Sequence, residues 1–163
     1  ADINDIVILV GPIRMALYLH RSDIVIRDGQ NQIRLAEFSQ WAGPLQENFS
    51  RVLAENLSVL LATNSVGIFP GTRAMLFDFN VTVNVTRFDG IPGQKTDLRA
   101  RWGILDENTK KMLIENHSVL TQPTKDDSME ALIAAQSRTL ADLSREIAEA
   151  IKTLAEGKKK GKK

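Results

Sequence analysis

The chain has 163 residues, a formal net charge of +1, no cysteine and two histidines. This length suits one domain. The lack of cysteine excludes disulfides, thiolate nucleophiles and cysteine-ligated metals, and two histidines are too few for a convincing zinc site. No apolar run is long enough to span a membrane. The lysines cluster in a terminal tail rather than on a predicted folded face, which argues against a nucleic-acid partner.

Three short strands are predicted before the first helix. Residues 6–10 are almost wholly apolar and end at Gly11-Pro12, as expected for a buried strand. Residues 23–27 and 32–37 flank the dipeptide Asp28-Gly29, which tolerates a turn. The second and third strands are therefore predicted to form a hairpin.

The connection between the first two strands contains Leu17, Tyr18, Leu19 and Arg21. Apolar residues in a connection can form a docking surface for a partner. They can equally tuck under the first helix, and the sequence leaves both alternatives open. These four residues are candidates for partner contact.

A Trp41-Ala42-Gly43-Pro44 elbow precedes the first predicted helix. Trp41 either faces a partner, which makes it the fifth candidate contact, or closes the core where helix meets sheet. Pro44 suits the first turn because its missing N–H has no partner to lose there, and Gly43 or Ser39 is the expected cap. Apolar residues then recur at helical spacing and predict one buried stripe. The stripe consists of Leu45, Phe49, Val52, Leu53, Leu57, Leu60 and Leu61.

Three later segments predict an antiparallel meander. Over residues 77–85, apolar residues alternate with polar ones that include Asn80 and Asn84, so one face is predicted to be buried and the other wet. Residues 89–93 are predicted to turn. Residues 97–104 and 111–120 are then predicted as the second and third strands.

After residue 123 the pattern becomes helical again. Asp127 or Ser128 is the expected cap, Glu130 favours the helix dipole, and Gly157 is expected to end the helix. The whole pattern predicts an α+β fold, a two-layer sandwich of a mainly antiparallel sheet with two long amphipathic helices on one face. We expect a single domain over residues 1–156 and a disordered Lys-rich tail over residues 157–163.

No group of residues in the sequence predicts catalysis. The segment 90–93, GIPG, is too short for a phosphate loop and has a proline where an N–H donor would be needed. His20 and His117 lie in polar stretches without a nucleophile-elbow pattern, and Asp126 and Asp127 are explained by capping of a helix. We therefore expect a non-enzymatic protein with no catalytic residue, no metal and no cofactor.

Residues 34–61, RLAEFSQWAGPLQENFSRVLAENLSVLL, resemble the signature of the ABC-type transport auxiliary lipoproteins, the Pqi-type outer-membrane lipoproteins. That family shows an acidic-aromatic pair, then Trp-Ala-x-Pro-Leu, then a helix with Arg-Val-Leu-Ala-Glu-Asn-Leu. The matching positions here are Glu37-Phe38, Trp41-Ala42, Pro44-Leu45 and residues 51–57. Residues 10–33 are similar to the family's strand, Tyr-Leu linker and hairpin, and residues 131–151 to its closing helix.

The resemblance implies a non-enzymatic accessory component of an intermembrane lipid transport system at the periplasmic face of the outer membrane. The implied partners are an MCE-domain periplasmic protein and an inner-membrane permease, and the implied role is in envelope integrity. Family members are anchored by a lipidated cysteine. This chain has none, so either the anchor lies outside the given residues or this member is not a lipoprotein.

Two further expectations concern an alternative function and self-association. A periplasmic carrier domain that binds a lipid or another amphiphile is the alternative function. Formation of a homo-oligomer is also expected, because a sheet with open edges can pair with a second copy.

Overall fold

The computed structural model describes residues 6–19, 23–28, 32–40, 44–70 and 76–161, with the backbone alone for 23–28, 32–40 and 159–161. One mixed sheet and two long helices make up this part of the chain, so the predicted α+β class is confirmed. The strands are β1 (Ile8–Met15), β2 (Asp23–Asp28), β3 (Gln32–Gln40), β4 (Val66–Ile68), β5 (Phe79–Ile91), β6 (Lys95–Asp106) and β7 (Lys111–Pro123). The helices are α1 (Leu45–Leu60) and α2 (Met129–Gly161), and a 3-10 turn covers Leu17–Leu19.

The strand β5 organises the sheet, because three other strands share its two edges. Along one edge β6 runs antiparallel over the full length of β5, and β7 runs antiparallel to β6. The other edge is divided: β1 pairs in parallel with the first half of β5, and β2 meets β5 near its end, where Ile26 lies opposite Gly90. Two further strands lie outside these: β4 pairs with β1 in parallel, whereas β3 pairs with β2 in antiparallel orientation.

The sheet is therefore mixed rather than mainly antiparallel. Among the described strands, three of the six pairings are parallel, and two of those involve β1. Parallel neighbours need a long crossover connection, and the segment between β1 and β4 supplies one because it contains α1. The strand β4 is not predicted from the sequence, because its three residues are too few to show a period.

Both helices pack against one cluster of sheet side chains. The predicted stripe of α1 is buried there, with Phe49, Leu53 and Leu57 at 1% exposure or less. The ring of Phe49 meets the ring of Phe88 from β5 edge to face, with the ring centroids 5.8 Å apart. The alternating apolar residues of β5 and β6 face the same cluster, which places the core between the helices and one face of the sheet.

The strand β5 is longer than predicted. Residues 89–91, expected to turn, are paired with β6, and the turn lies at residues 92–94. A bulge between Val85 and Arg87 shifts the alternation, so that Phe88 rather than Arg87 is buried in the core. The extra residue of a bulge reverses which residues face the core, so a strict alternation of two does not predict burial beyond it.

The observed ends of the helices agree in part with those predicted from the sequence. The Ser128 hydroxyl accepts a hydrogen bond from the Ala131 N–H at 3.1 Å, which selects Ser128 over Asp127 as the cap of α2. Pro44, rather than Gly43 or Ser39, occupies the cap position of α1, one residue before the first turn, and no described side chain caps this helix. The helix α2 does not end at Gly157 but continues to Gly161.

Lys158 attaches the last turns of α2 to the sheet. Its Nζ lies 3.1 Å from Asp106 Oδ2 and 4.7 Å from the centroid of the Phe79 ring. Burial raises the pKa of the Asp106 carboxyl. The Lys158 ammonium and the backbone N–H groups of Asn108 and Thr109 outweigh burial and hold this pKa below its ordinary value. Residues 157–161, predicted as part of a disordered tail, thus have a helical backbone, and the domain boundary at 156 stays a prediction.

We expect Lys158→Gln to lower the free energy of unfolding by about 1 kcal/mol at pH 7. A carboxyl whose pKa is lowered by folding stabilises the native state above its unfolded pKa, and this contribution is lost as the pH falls through the folded pKa. The difference between wild type and variant should therefore shrink below about pH 4. Urea unfolding between pH 7 and pH 2.5 measures it. Lys152→Gln, on the same helix but paired only with the exposed Glu149, should show no such trend.

Candidate functional site

The linker residues predicted to contact a partner have different environments. Leu17 is 88% exposed, whereas Leu19 is fully buried in the core. Tyr18 is half-buried, and its hydroxyl donates to Asp89 Oδ2 at 3.0 Å and accepts from the Phe88 N–H at 3.2 Å. Two of these three side chains therefore have contacts inside the molecule.

Tyr18 fills a gap between two strands. On the edge of β5 that pairs with β1, the last backbone hydrogen bond is donated by the Ala16 N–H to the Val85 carbonyl. The next strand on this edge, β2, pairs with β5 at Gly90. The Phe88 N–H lies between these points, where the Tyr18 hydroxyl takes the place of a neighbouring strand. This position gives Tyr18 a structural role.

Leu17 is the described linker residue most open to a partner. Arg21 and Trp41, the other two candidates, lie outside the described residues. Contact of a partner with this linker stays a prediction, and within the described chain it rests on Leu17.

The strand β7 is an edge of the sheet. It pairs with β6, and no other described strand pairs with it. It runs for 13 residues, and its exposed side chains include Met112, Leu113 and Val119. Unpaired backbone groups along such an edge can take up a strand from another chain. Hydrophobic alternation predicts that β7 is a strand but carries no information that it is the outermost one.

Side-chain hydrogen bonds attach β7 to α2. Trp102 Nε1 donates to Ser118 Oγ at 2.9 Å, and the Ser118 hydroxyl donates to Glu146 of α2. Farther along, Gln122 Nε2 donates to Asp142 Oδ2 at 2.7 Å. Because β7 is held on its inner side by both β6 and α2, its outer edge is presented in one fixed position.

The face of the sheet opposite the helices carries a polar row. Four side chains are direct neighbours across β1, β5, β6 and β7, and we call them the basic row: Arg14, Asn84, Arg101 and His117. All four are exposed and line a groove of about 720 Å³. Neither arginine side chain of the row makes a hydrogen bond or an ion pair with another described residue.

Asn80 lies on the same face, but it is buried rather than wet as predicted. Its Nδ2 donates to the carbonyls of Leu9 at 3.1 Å and Gly11 at 2.6 Å. The register of β1 against β5 shifts between Val10 and Ile13, and the Asn80 amide binds the carbonyls next to that shift. Its role is therefore structural.

The described residues contain no group of three or more His, Asp or Glu side chains that could hold a metal ion. His117, one of the two histidines, lies on the exposed sheet face and belongs to no such group among these residues. Within the same residues, no helix combines the length and the apolar character needed to cross a membrane. The surfaces of interest are thus the β7 edge, Leu17 and the basic row.

The sequence matches a family model described as "ABC-type transport auxiliary lipoprotein component" over residues 1–148. No curated protein gives a significant match.

Several solved structures share the fold at low sequence identity. An uncharacterized protein is 20% identical, with 90% of this chain and 92% of that chain covered and a TM-score of 0.78. The protein XCC0632 from Xanthomonas campestris, of the family DUF330, is 16% identical, with 96% and 88% covered and a TM-score of 0.77. The PelC dodecamer from Paraburkholderia phytofirmans is 10% identical, with 87% of each chain covered and a TM-score of 0.52. Identities this low support a common fold and say nothing of activity.

Proposed function

This chain belongs to the family of ABC-type transport auxiliary lipoprotein components, and we propose that it is a non-enzymatic docking component of an intermembrane lipid transport system. In this proposal it works at the periplasmic face of the outer membrane, attached by a lipid anchor outside the given residues. Its partner is an MCE-domain periplasmic protein of the same system. The protein assembles a complex and transforms no substrate.

The open edge of β7 is the observation on which the docking proposal rests. Thirteen residues of backbone are available there, next to the exposed side chains of Leu113 and Val119. A partner strand that adds to this edge gains backbone hydrogen bonds, while apolar side chains along it give specificity. Because the inner side of β7 is fixed by β6 and α2, the edge needs little ordering before it binds.

Self-association is part of the same proposal. A protein with a similar fold, PelC from Paraburkholderia phytofirmans, forms a dodecamer in its crystals. A closed ring of identical subunits would cover the open edge of each copy. A second copy of this chain would then occupy the β7 edge in place of the MCE-domain protein, and the protein captured from that edge tells the two apart.

The alternative function, a carrier that encloses a lipid tail, requires space between the helices and the sheet. Side chains fill that layer: Phe49, Leu57, Val81, Leu143 and Ile147 are all exposed by 1% or less. The groove of about 720 Å³ lies on the opposite face of the sheet and is open to solvent. These observations favour docking over an enclosed carrier.

In-cell photo-cross-linking of the full-length, membrane-anchored protein tests the docking proposal. A photoreactive phenylalanine placed at Leu113 or Val119 should capture the MCE-domain protein or a second copy of this chain, identified by mass spectrometry. The same probe at Leu17 tests the linker separately. Val59, 81% exposed on α1 and distant in sequence from both surfaces, is the control position and should capture neither.

Charge substitutions then separate docking from folding. We expect Leu113→Lys with Val119→Lys to abolish capture from an unmodified neighbouring position. Both side chains are exposed, so the free energy of unfolding should change by no more than about 0.5 kcal/mol for each. Capture that persists in the double variant, or that occurs only from Val59, would show that β7 is not the docking edge.

A further inference from the structure

We propose that the basic row, Arg14, Asn84, Arg101 and His117, binds the phosphate group of an anionic glycerophospholipid headgroup. The inference goes beyond the docking role and does not depend on it, because the row crosses the open face of the sheet and only His117 of its four residues belongs to β7. A protein without any docking partner could still bind this ligand.

The spacing of the strands brings the two arginines to one point. Arg14 lies opposite Asn84, and Asn84 lies opposite Arg101. Neighbouring strands are about 5 Å apart, so the backbones of the two arginines are separated by about 10 Å with Asn84 between them. Side chains of this length can extend toward each other over Asn84 and contact a single anion from both sides.

The row offers the donors that a phosphate group requires. Each guanidinium can donate two parallel hydrogen bonds to phosphate oxygens. The Asn84 amide and an N–H of the His117 ring supply further donors, and Thr82, one row away on β5, also lines the groove. Because the side chains of Arg14 and Arg101 have no partner among the described residues, binding breaks no ion pair within that part of the chain.

Positive charge is concentrated in this part of the face. Farther along the same strands, Arg87 is neutralised by contacts of 3.2 Å with Asp89 and 3.5 Å with Asp97. Arg99, exposed and two residues from the row on β6, adds a positive charge. Glu115 on β7 is the one acidic side chain that lines the groove, and it opposes the binding of an anion.

Apolar groups beside the basic row favour a lipid headgroup over free phosphate. Pro12 and Met112 line the same groove, and Met112 is 44% exposed. The Met112 side chain lies over Gly103, which has no side chain of its own; a Cβ there would lie 2.7 Å from the Met112 sulfur. An anion with an attached glycerol and acyl chain can use both parts of the groove, whereas inorganic phosphate uses only the basic part.

Side-chain NMR on the whole chain provides the test. Arginine Nε–H signals are followed in ¹H–¹⁵N spectra at low salt during titration with dihexanoyl phosphatidylglycerol below its aggregation concentration. Parallel titrations use inorganic phosphate and dihexanoylglycerol, which lacks phosphate. We expect the Arg14 and Arg101 signals to shift with both phosphate compounds, at lower concentration with the lipid, and to stay unchanged with dihexanoylglycerol.

Substitutions assign the binding to the row. Arg14→Gln and Arg101→Gln should each weaken binding of the lipid about tenfold, because each removes charge-assisted hydrogen bonds. Glu115→Gln should strengthen it. Arg51→Gln is the matched control, since Arg51 is an exposed arginine on α1 paired with Glu55, and it should leave the affinity unchanged.

The outcomes are distinguishable. Equal affinity for inorganic phosphate and the lipid would overturn the headgroup as the ligand while leaving an anion site. Equal weakening by Arg51→Gln and Arg101→Gln would reduce the effect to the overall charge of the protein and overturn the site. The absence of any shift at Arg14 and Arg101 would do the same.

Discussion

Replacing Phe49 by alanine is expected to lower the free energy of unfolding by about 3–5 kcal/mol, the usual cost of removing a fully buried aromatic ring. Phe49 is 1% exposed, lies on the buried stripe of α1 and meets Phe88 edge to face at 5.8 Å. Alanine keeps the helix, since it has the best helix propensity. The cost therefore comes from the cavity left between α1 and β5, and urea unfolding followed by circular dichroism measures it.

Two comparisons identify the origin of that cost. Val59→Ala, on the same helix but 81% exposed, should change stability by no more than about 0.5 kcal/mol. In a double-mutant cycle with Phe88→Ala, the pair should show a coupling energy of about 0.5–1.5 kcal/mol from ring contact. A loss below about 1 kcal/mol for Phe49→Ala would mean that α1 does not pack on the sheet through this residue.

Asn80→Asp is expected to lower the free energy of unfolding by about 3 kcal/mol at neutral pH. The Asn80 amide donates to two carbonyls, of Leu9 and Gly11, in a buried position. An ionised carboxylate cannot donate, so both carbonyls lose their donor and a negative charge is placed against them. Chemical unfolding at pH 7 measures the loss.

Asn84→Asp is the matched control, because Asn84 lies four residues along the same strand and on the same face but is exposed. It should leave the free energy of unfolding within about 0.5 kcal/mol of wild type. Similar losses at both positions would show that the effect belongs to the added charge on this face and not to the Asn80 hydrogen bonds.

Local features of the fold could be predicted from the sequence because they depend on nearby residues. The stripe of α1 follows from spacing alone; five of its seven residues are buried in the core, and Val52 and Leu60 are partly buried against it. A cap of α2 at Asp127 or Ser128 follows from the residue types and their place before an apolar run, and the hydrogen bond from the Ala131 N–H selects Ser128. The family resemblance, drawn from residues 34–61, is likewise a local pattern, and the family match confirms it.

Features that depend on distant parts of the chain could not be predicted. The strand β1 pairs with β4 and β5, which lie far along the chain. The spacing of apolar residues within β1 does not reveal these neighbours. The burial of Asn80 and the proximity of Arg14 to Arg101 follow from that parallel pairing and were missed for the same reason. The contacts of Lys158, near the end of α2, depend on Asp106 from a different element.

Two of the five candidate contact residues have contacts that the sequence could not predict: Leu19 is buried, and Tyr18 makes hydrogen bonds inside the molecule. Apolar residues in a linker are compatible with docking to a partner or with packing into the core, and only tertiary contacts decide between the two. Leu19 packs in the core, Tyr18 completes the edge of β5, and Leu17 is exposed. The predicted roles of Arg21 and Trp41 stay predictions.

The parallel position of β1 has a consequence for the order of folding. Ile8 pairs with Phe79, 71 residues later in the chain, and closing so long a loop costs entropy before any contact repays it. The β5–β6–β7 meander and α2 are joined by short connections and can form first. We therefore expect the apolar β1 segment to stay unpaired until β4 and β5 are in place, which leaves it exposed to aggregation while the chain folds.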